Sequence, residues 1–300
     1  MPSPNNLRII HTNLIDLSST AITASSGSTS LGNLKLDTKS KTWRSTTGTQ
    51  ASLIVDFGSQ KTVGGVVLSF TNLASSTATI TLVGYNSPNV PSFTGTSLTT
   101  GVSAAFNTGA IACCPWNSLA LPAWGTNPAG SSNYSYGGGV YARAWVPLAN
   151  QSTLIRYLGI QISDPGNTAG YIEISRLIVG NYWSPVYNPG FGIESGILDL
   201  SQHTRTESGD LITKRGPRSR KLNFDMQWLN PADRKEITRI FLGNGMSKPL
   251  YVSVFPDSSG TDEDFQREDS HQLYGKFNQI AGVLYDNPFT YSTRMELEEV

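Results

Sequence analysis

Apolar side chains that recur at every second position dominate the first half of this chain, a period that admits strands and excludes helices. In WRSTTGTQASLIVDFGSQKTVGGVVLSFTNLASSTATITLVGYNS, residues 43–87, Leu53, Val55 and Phe57 face one way while Ile54 and Asp56 face the other. Val66, Leu68 and Phe70 repeat the alternation, as do Ile80 and Leu82 and later Ile160 and Ile162. Short runs of this kind, separated by Gly, Ser, Asn and Pro clusters, predict a β-sandwich. No helix-period segment of useful length precedes residue 230. Residues 86–140 break the rhythm, and the second piece, CCPWNSLALPAWGTNPAGSSNYSYGGG, is rich in turn formers with embedded rings. It reads as an insertion between core strands, and long loops of that kind are usually functional.

Charge divides the chain. Residues 1–180 carry nine Lys or Arg and five Asp or Glu, whereas residues 181–300 carry thirteen and seventeen. The first part is Ser/Thr/Gly/Asn-rich, and the second has the charge density of an ordinary globular surface. Between them NYWSPVYNPG, residues 181–190, reads as a hinge, because two X-Pro steps hold the backbone extended and Gly190 frees it. Length also favours two domains. The expected division is residues 13–183 against residues 184–300, the latter possibly with residues 1–12.

In the second part, strands are expected over Gly192–Leu200, Leu211–Lys214 and Ser219–Trp228, with Leu222, Phe224 and Met226 on one face. A short helix follows over residues 231–242. Asn230 caps it, Pro231 suits its first turn, Asp233 and Glu236 complement its dipole, and Gly243 ends it. Pro249–Phe255, Gln272–Ile280 and Tyr291–Glu298 complete the set, and the last strand, with no tail behind it, is free to pair within the subunit or with a neighbour. The basic run Lys214, Arg215, Arg218, Arg220 and Lys221 flanks Gly216–Pro217, as at a hairpin tip. It could dock on an acidic neighbour or stay hydrated.

Two resemblances follow from these residues. The series W…VDFG…V…I…Y…S, then RYLGIQI…G…IEISRLIVG, resembles the galactose-binding-like jelly roll of discoidin and coagulation-factor C domains over most of residues 13–182. The resemblance implies a mainly β chain, a galactose-binding-like β-sandwich plus a second β-rich domain with one short helix. Ligands of that family are met by loops at one end of the sandwich, which here matches the turn after Asp37 with Trp43 and Arg44. The insertion adds Trp116, Trp124, Tyr134 and Tyr136, so these six are the candidate glycan contacts; the alternative is that the rings pack the loop onto the sandwich. From residue 182 the order YW.P..NPG.G..SG..D.S, RT.SGD, PADR.EI..IF..G, KPLYVSVFPD, YGKF and an acidic last strand resembles distal-tail or baseplate proteins of tailed bacteriophages.

That second resemblance implies a homo-oligomeric ring, trimer or hexamer, joining tail tube to tip or hub proteins, with the sandwich projecting outwards for stabilisation or host-glycan contact. It implies a virion component made in the host cytoplasm, with Lys214, Arg215, Arg218 and Arg220 as candidate assembly contacts. The alternative is a stand-alone carbohydrate-binding module.

Chemistry is sparse. His11, His203 and His271 lack ligand spacing, and no nucleophile elbow, Walker loop or dinucleotide fingerprint occurs, so no catalytic residue, metal site or cofactor is expected. The carboxylates of the first 180 residues, Asp16, Asp37, Asp56, Asp164 and Glu173, suggest no glycosidase pair, and Asp56 reads as a turn cap. The acidic run Asp257, Asp262, Glu263, Asp264, Glu268 and Asp269 reads as a solvated loop, with a calcium site as the alternative. Zero net charge argues against nucleic-acid binding, and the absence of a long apolar run argues against membrane insertion. MPSPNNLRII lacks the pattern of a signal peptide. The adjacent Cys113 and Cys114 do not suggest a disulfide framework.

Overall fold

The computed structural model describes residues 6–73, 77–99, 103–113, 140–256, 268–287 and 289–300. Twenty strands run in chain order. They are β1 Arg8–Ile10, β2 Ala21–Ala24, β3 Trp43–Arg44, β4 Gln50–Lys61, β5 Gly65–Thr71, β6 Thr79–Tyr85, β7 Phe93–Thr94, β8 Ser97–Leu98, β9 Phe106–Ala112, β10 Val140–Trp145, β11 Ile155–Ser163 and β12 Glu173–Gly180. There follow β13 Glu194–Asp199, β14 Gln202–Arg205, β15 Leu211–Lys214, β16 Arg218–Leu229, β17 Leu250–Ser253, β18 Gln272–Ile280, β19 Leu284–Asn287 and β20 Thr290–Glu299. The α-helix α1 spans Pro231–Asn244.

These strands stack in layers. A five-stranded sheet in the order β2-β4-β11-β6-β9 faces a four-stranded sheet in the order β10-β5-β12-β3, every pairing antiparallel. Leu53, Val55, Phe57, Val66, Leu68, Ile80, Leu82, Ile160 and Ile162 fill the core between them, as their alternation predicts. The sandwich fold expected from the sequence is therefore present. The four-stranded sheet then lays its other face on a seven-stranded sheet in the order β1-β17-β18-β20-β16-β13, with β19 attached to β20 alone. Val67, Phe70, Tyr141 and Ile178 meet Ile10, Tyr251 and Tyr274 there. The far face of the seven-stranded sheet carries α1, where Ile237, Ile240 and Phe241 pack with Leu222, Phe224, Met226 and Leu297. Each such buried side chain contributes about 1.5–3 kcal/mol.

Because β5 and β12 are covered on both faces, every residue in them is buried. Strands sandwiched in this way cannot show a clean polar face; Ser69 Oγ and Thr71 Oγ1 on β5 find no hydrogen-bond partner among the described residues, whereas the charged groups buried nearby are paired. Arg143, on β10, is 1% exposed, and Glu268 is 0% exposed. Arg143 Nε and Nη2 donate to the two Glu268 carboxylate oxygens at 2.8 and 2.6 Å, and Nη1 donates to Ala112 O at 2.8 Å. Arg176 Nη2 donates to both Asp16 oxygens at 2.7 Å, and its Nε to the Tyr274 hydroxyl, which donates in turn to Asp37. Tyr141 OH and Lys39 Nζ both donate to Glu299, at 2.6 and 2.8 Å. Burial holds the phenols of Tyr141, Tyr251 and Tyr274 well above their ordinary range, so they stay neutral donors.

Several expectations need correction. Phe70 does not share a face with Val66 and Leu68: its φ of 52° falls where the β10–β5 register slips between Val140 and Ala142, and the ring turns to the Tyr141 side, 5.3 Å away. Residues 86–113 are not free of strand, for β7 and β8 cover Ile54, Val83, Tyr85 and Tyr157 on the outer face, and β9 pairs with β6. The segment 181–190 is no free hinge. Trp183 exchanges backbone hydrogen bonds with Ile9, Asn6 donates to Pro185 O, and Val186 N donates to Asp233. Helix α1 runs one residue past Gly243 and is closed by Gly245 at φ 54°, because Asn244 is held by His11 O and Pro249 O. The last strand is central rather than marginal, pairing with β16, β18 and β19. Of the acidic run, Glu268 and Asp269 are not solvated but buried against Arg143 and Arg220, while Asp257, Asp262, Glu263 and Asp264 lie outside the described residues.

Candidate functional site

The end of the sandwich where β3 enters collects the first candidate group. Alternation along this two-residue strand sends Trp43 inward and Arg44 outward. Trp43 is 0% exposed in the sandwich core, with Nε1 donating to Gly27 O at 2.9 Å. That placement corrects its assignment as a stacking surface, since a ring without accessible area cannot meet a ligand. Gly27 is fixed by the same contact: its φ is 68°, and a Cβ there would lie 1.9 Å from Arg44 O.

Arg44 remains available in part. Its Nε lies 2.8 Å from Glu173 Oε1, and its guanidinium carbon sits 4.6 Å from the Tyr171 ring centroid. Thr42 Oγ1 donates to the same Glu173 oxygen at 2.5 Å, and the Glu173 amide donates to Asn72 Oδ1. Asn72 and Asn167 both donate to Tyr171 O, at 2.8 and 3.2 Å. Behind this row Thr77 donates to Asp164. The arrangement is a polar shelf with one ring and one cation, rigid because each carboxylate is already bonded. It offers hydroxyl, amide and guanidinium partners but pairs no nucleophile with a base.

The strand ends that flank the insertion lie at the same end, since Ala112 pairs with Thr79 and Val140 with Thr71, near the 164–172 turn. Trp116, Trp124, Tyr134, Tyr136 and Cys114 lie outside the described residues. Cys113 is buried. Tyr171, which the sequence reading missed, is carried by the turn SDPGNTAGYIEI, whose Gly170 has φ 77°.

The basic run forms the second group, and it is not a hairpin tip. Strands β13 and β16 pair with each other, and so do β14 and β15, so residues 194–229 make one long hairpin whose tip is at 206–210. Lys214, Arg215 and Arg218 sit at its joint, where Leu200 N donates to Pro217 O and Gly216 N to Ser201 Oγ. Hydrogen bonds from Ser201 and from Arg218 hold Asp199 at about 2. Arg218 Nε donates to Asp199 at 2.8 Å, while Arg220 is drawn inward over Tyr141 and towards Asp269. Only Lys214, Arg215 and Arg218 therefore stand at the surface. Asp56 caps Gly58 N at 2.8 Å as expected and also receives Arg156.

Among the described residues no group of three or more His, Cys, Asp or Glu could hold a metal ion, and no helix is long and apolar enough to cross a membrane. No protein-family model and no curated protein matches the chain. Solved structures that are similar include CpGH89CBM32-6 of Clostridium perfringens, at 12% identity over 56% of this chain and 98% of that one, TM-score 0.33. The family 32 carbohydrate-binding module of C. perfringens NanJ, in complex with galactose, gives 12% identity over 57% and 98%, TM-score 0.34. A chitosan-binding module from the chitosanase/glucanase of Paenibacillus sp. IK-5 gives 18% over 57% and 100%, TM-score 0.34.

Proposed function

We propose that this chain is a non-catalytic structural subunit that assembles with copies of itself, and that its setting is the ring joining tube to tip in a bacteriophage tail. The observation that carries assembly is the outer half of the long hairpin. All eight strand residues of β14 and β15 are exposed, Leu211 and Ile212 by 55% and 58%. An isolated two-stranded ribbon is marginal in water, and a partner surface would supply the burial it lacks. Strand β13 adds an open edge with Ile197 76% exposed, the kind of edge that a neighbouring strand covers. Repetition of such a head-to-tail contact closes a ring. The phage setting rests on the order of residues 181–300 described above.

The test replaces residues 202–214 by a short turn and compares the variant with the full chain by light scattering and electron microscopy. Closed rings for the full chain and folded monomers for the variant are expected. A full chain that stays monomeric at high concentration, or a variant that still closes rings, overturns the proposal.

A second reading is favoured by the polar shelf of Arg44, Tyr171 and Glu173, namely weak recognition of a host-surface glycan at the sandwich end. A glycan array probed with the full chain and with Arg44→Ala, Tyr171→Ala and Trp124→Ala variants tests it. Binding that survives all three substitutions removes this end as the site.

A further inference from the structure

A cavity of about 590 Å³ lies on the seven-stranded sheet, away from the sandwich end, walled by the 225–228 stretch of β16 on one side and by β19 on the other. Trp228 stands at its rim. Its φ is 61°, one of two left-handed non-glycine residues among those described, and it falls where the β16–β20 register slips between Met226 and Leu229. Such a bulge re-aims a side chain at an energetic cost. The other case, Phe70, recovers that cost by burial to 4% exposure, whereas Trp228 is 59% exposed. A strained backbone that leaves an indole in water gains nothing for the fold. Strain of this kind, uncompensated by packing, is characteristic of binding surfaces.

The groups that line the same cavity have a definite chemistry. Asp225 and Asp286 line the cavity, and among the described residues neither carboxylate accepts a hydrogen bond, nor does the Trp228 indole N–H donate one. Arg294, opposite Asp225 in the ladder, also lines it, but Glu296 already holds its Nε at 2.8 Å. Leu284 supplies apolar wall. An aromatic face beside two free acceptors and a few donors fits a pyranose, whose CH face stacks on the ring while neighbouring hydroxyls donate to the carboxylates. The volume is within the range of small-molecule sites. Two carboxylates against one engaged guanidinium disfavour an acidic sugar.

We propose that Trp228, Asp225 and Asp286 form a binding site for a neutral pyranoside, distinct from the shelf at Arg44. The site sits on the layer that the assembly reading uses for contacts, so a bound glycan would be held near the subunit body rather than at the outer tip.

The test is calorimetric titration of the full chain with methyl β-galactoside, methyl α-glucoside and N-acetylglucosamine to high millimolar, repeated with a uronic acid. At least one neutral sugar binds, the uronic acid binds more weakly, and Trp228→Ala and Asp286→Asn each weaken binding by about tenfold or more. Trp228→Asn, which suits a left-handed position, abolishes binding while raising Tm. No heat with any neutral sugar overturns the proposal. So does sugar binding lost in Arg44→Ala but unaltered in Trp228→Ala, or a Trp228→Asn variant that is less stable than the parent, which would make the ring a structural element.

Discussion

Glu268→Ala tests how the sandwich and the seven-stranded sheet are joined. The substitution leaves the Arg143 guanidinium, its side chain 2% exposed, without its bidentate partner. Burial alone would pull this guanidinium down, but Glu268 outweighs it and holds the group above its ordinary value. Two unit charges about 4 Å apart attract by about 4 kcal/mol at an effective dielectric of about 20. Breaking a buried pair from one side costs about 3–5 kcal/mol in other proteins. Glu268→Ala and Arg143→Met should each fall in that range, because either one leaves a buried charge without the other member of the pair, and the second also takes the donor from Ala112 O. The double variant Arg143→Met with Glu268→Leu should recover most of the loss, since apolar replacement of a buried pair is near neutral. Urea unfolding followed by tryptophan fluorescence and circular dichroism measures the cycle, with an unchanged m-value as the check that folded and unfolded states are comparable. A single-variant cost below about 1 kcal/mol, or costs that add within about 0.5 kcal/mol, would refute the reasoning.

Other outcomes are expected. Asn230→Ala removes the 2.8 Å cap on Asp233 N and should lower stability by about 1 kcal/mol in thermal or urea unfolding. Gly27→Ala places a methyl against Arg44 O at φ 68° and should cost about 2–4 kcal/mol, whereas Gly95→Ala, with open space at φ 62°, should cost less. Trp43→Ala should cost about 3–5 kcal/mol as a core deletion without changing binding on any glycan array. Burial, with Arg239 nearby, lowers the His11 pKa, and Glu236 opposes this only in part. The unfolded chain then binds a proton that the folded one refuses. Its contribution to stability is therefore intact above the ordinary histidine range near 6.5 and is lost as pH falls below it. An NMR titration of the His11 ring with a midpoint at or above that value would refute this.

Period-two alternation was enough to place the inward residues of β4, β6 and β11, because one face of each meets a single core. It failed at Phe70, where a left-handed residue shifts the phase by one, and a bulge leaves no mark in a list of apolar positions. Helix α1 was legible because its start is written in local chemistry: Asn230 and Pro231 act on their own backbone. Its end was less so, since Asn244 is retained by contacts with His11 and Pro249 that no local rule encodes. The charge count marked a real change in composition but hid its purpose. Asp16, Asp37, Lys39, Arg143 and Arg176, over a third of the scarce ionic residues before position 181, bond to the seven-stranded sheet or to the groups that do. Trp43 was misplaced because a ring next to a half-buried Arg44 in sequence lies across the sheet from it in space.

The layered stack has a mechanical consequence. A sheet clamped on both sides by apolar surface, with a buried bidentate ion pair beside it, leaves no swivel between the shelf at Arg44 and the seven-stranded sheet. Load arriving at the sandwich would pass directly into that sheet, so the two halves of the stack behave as a single strut.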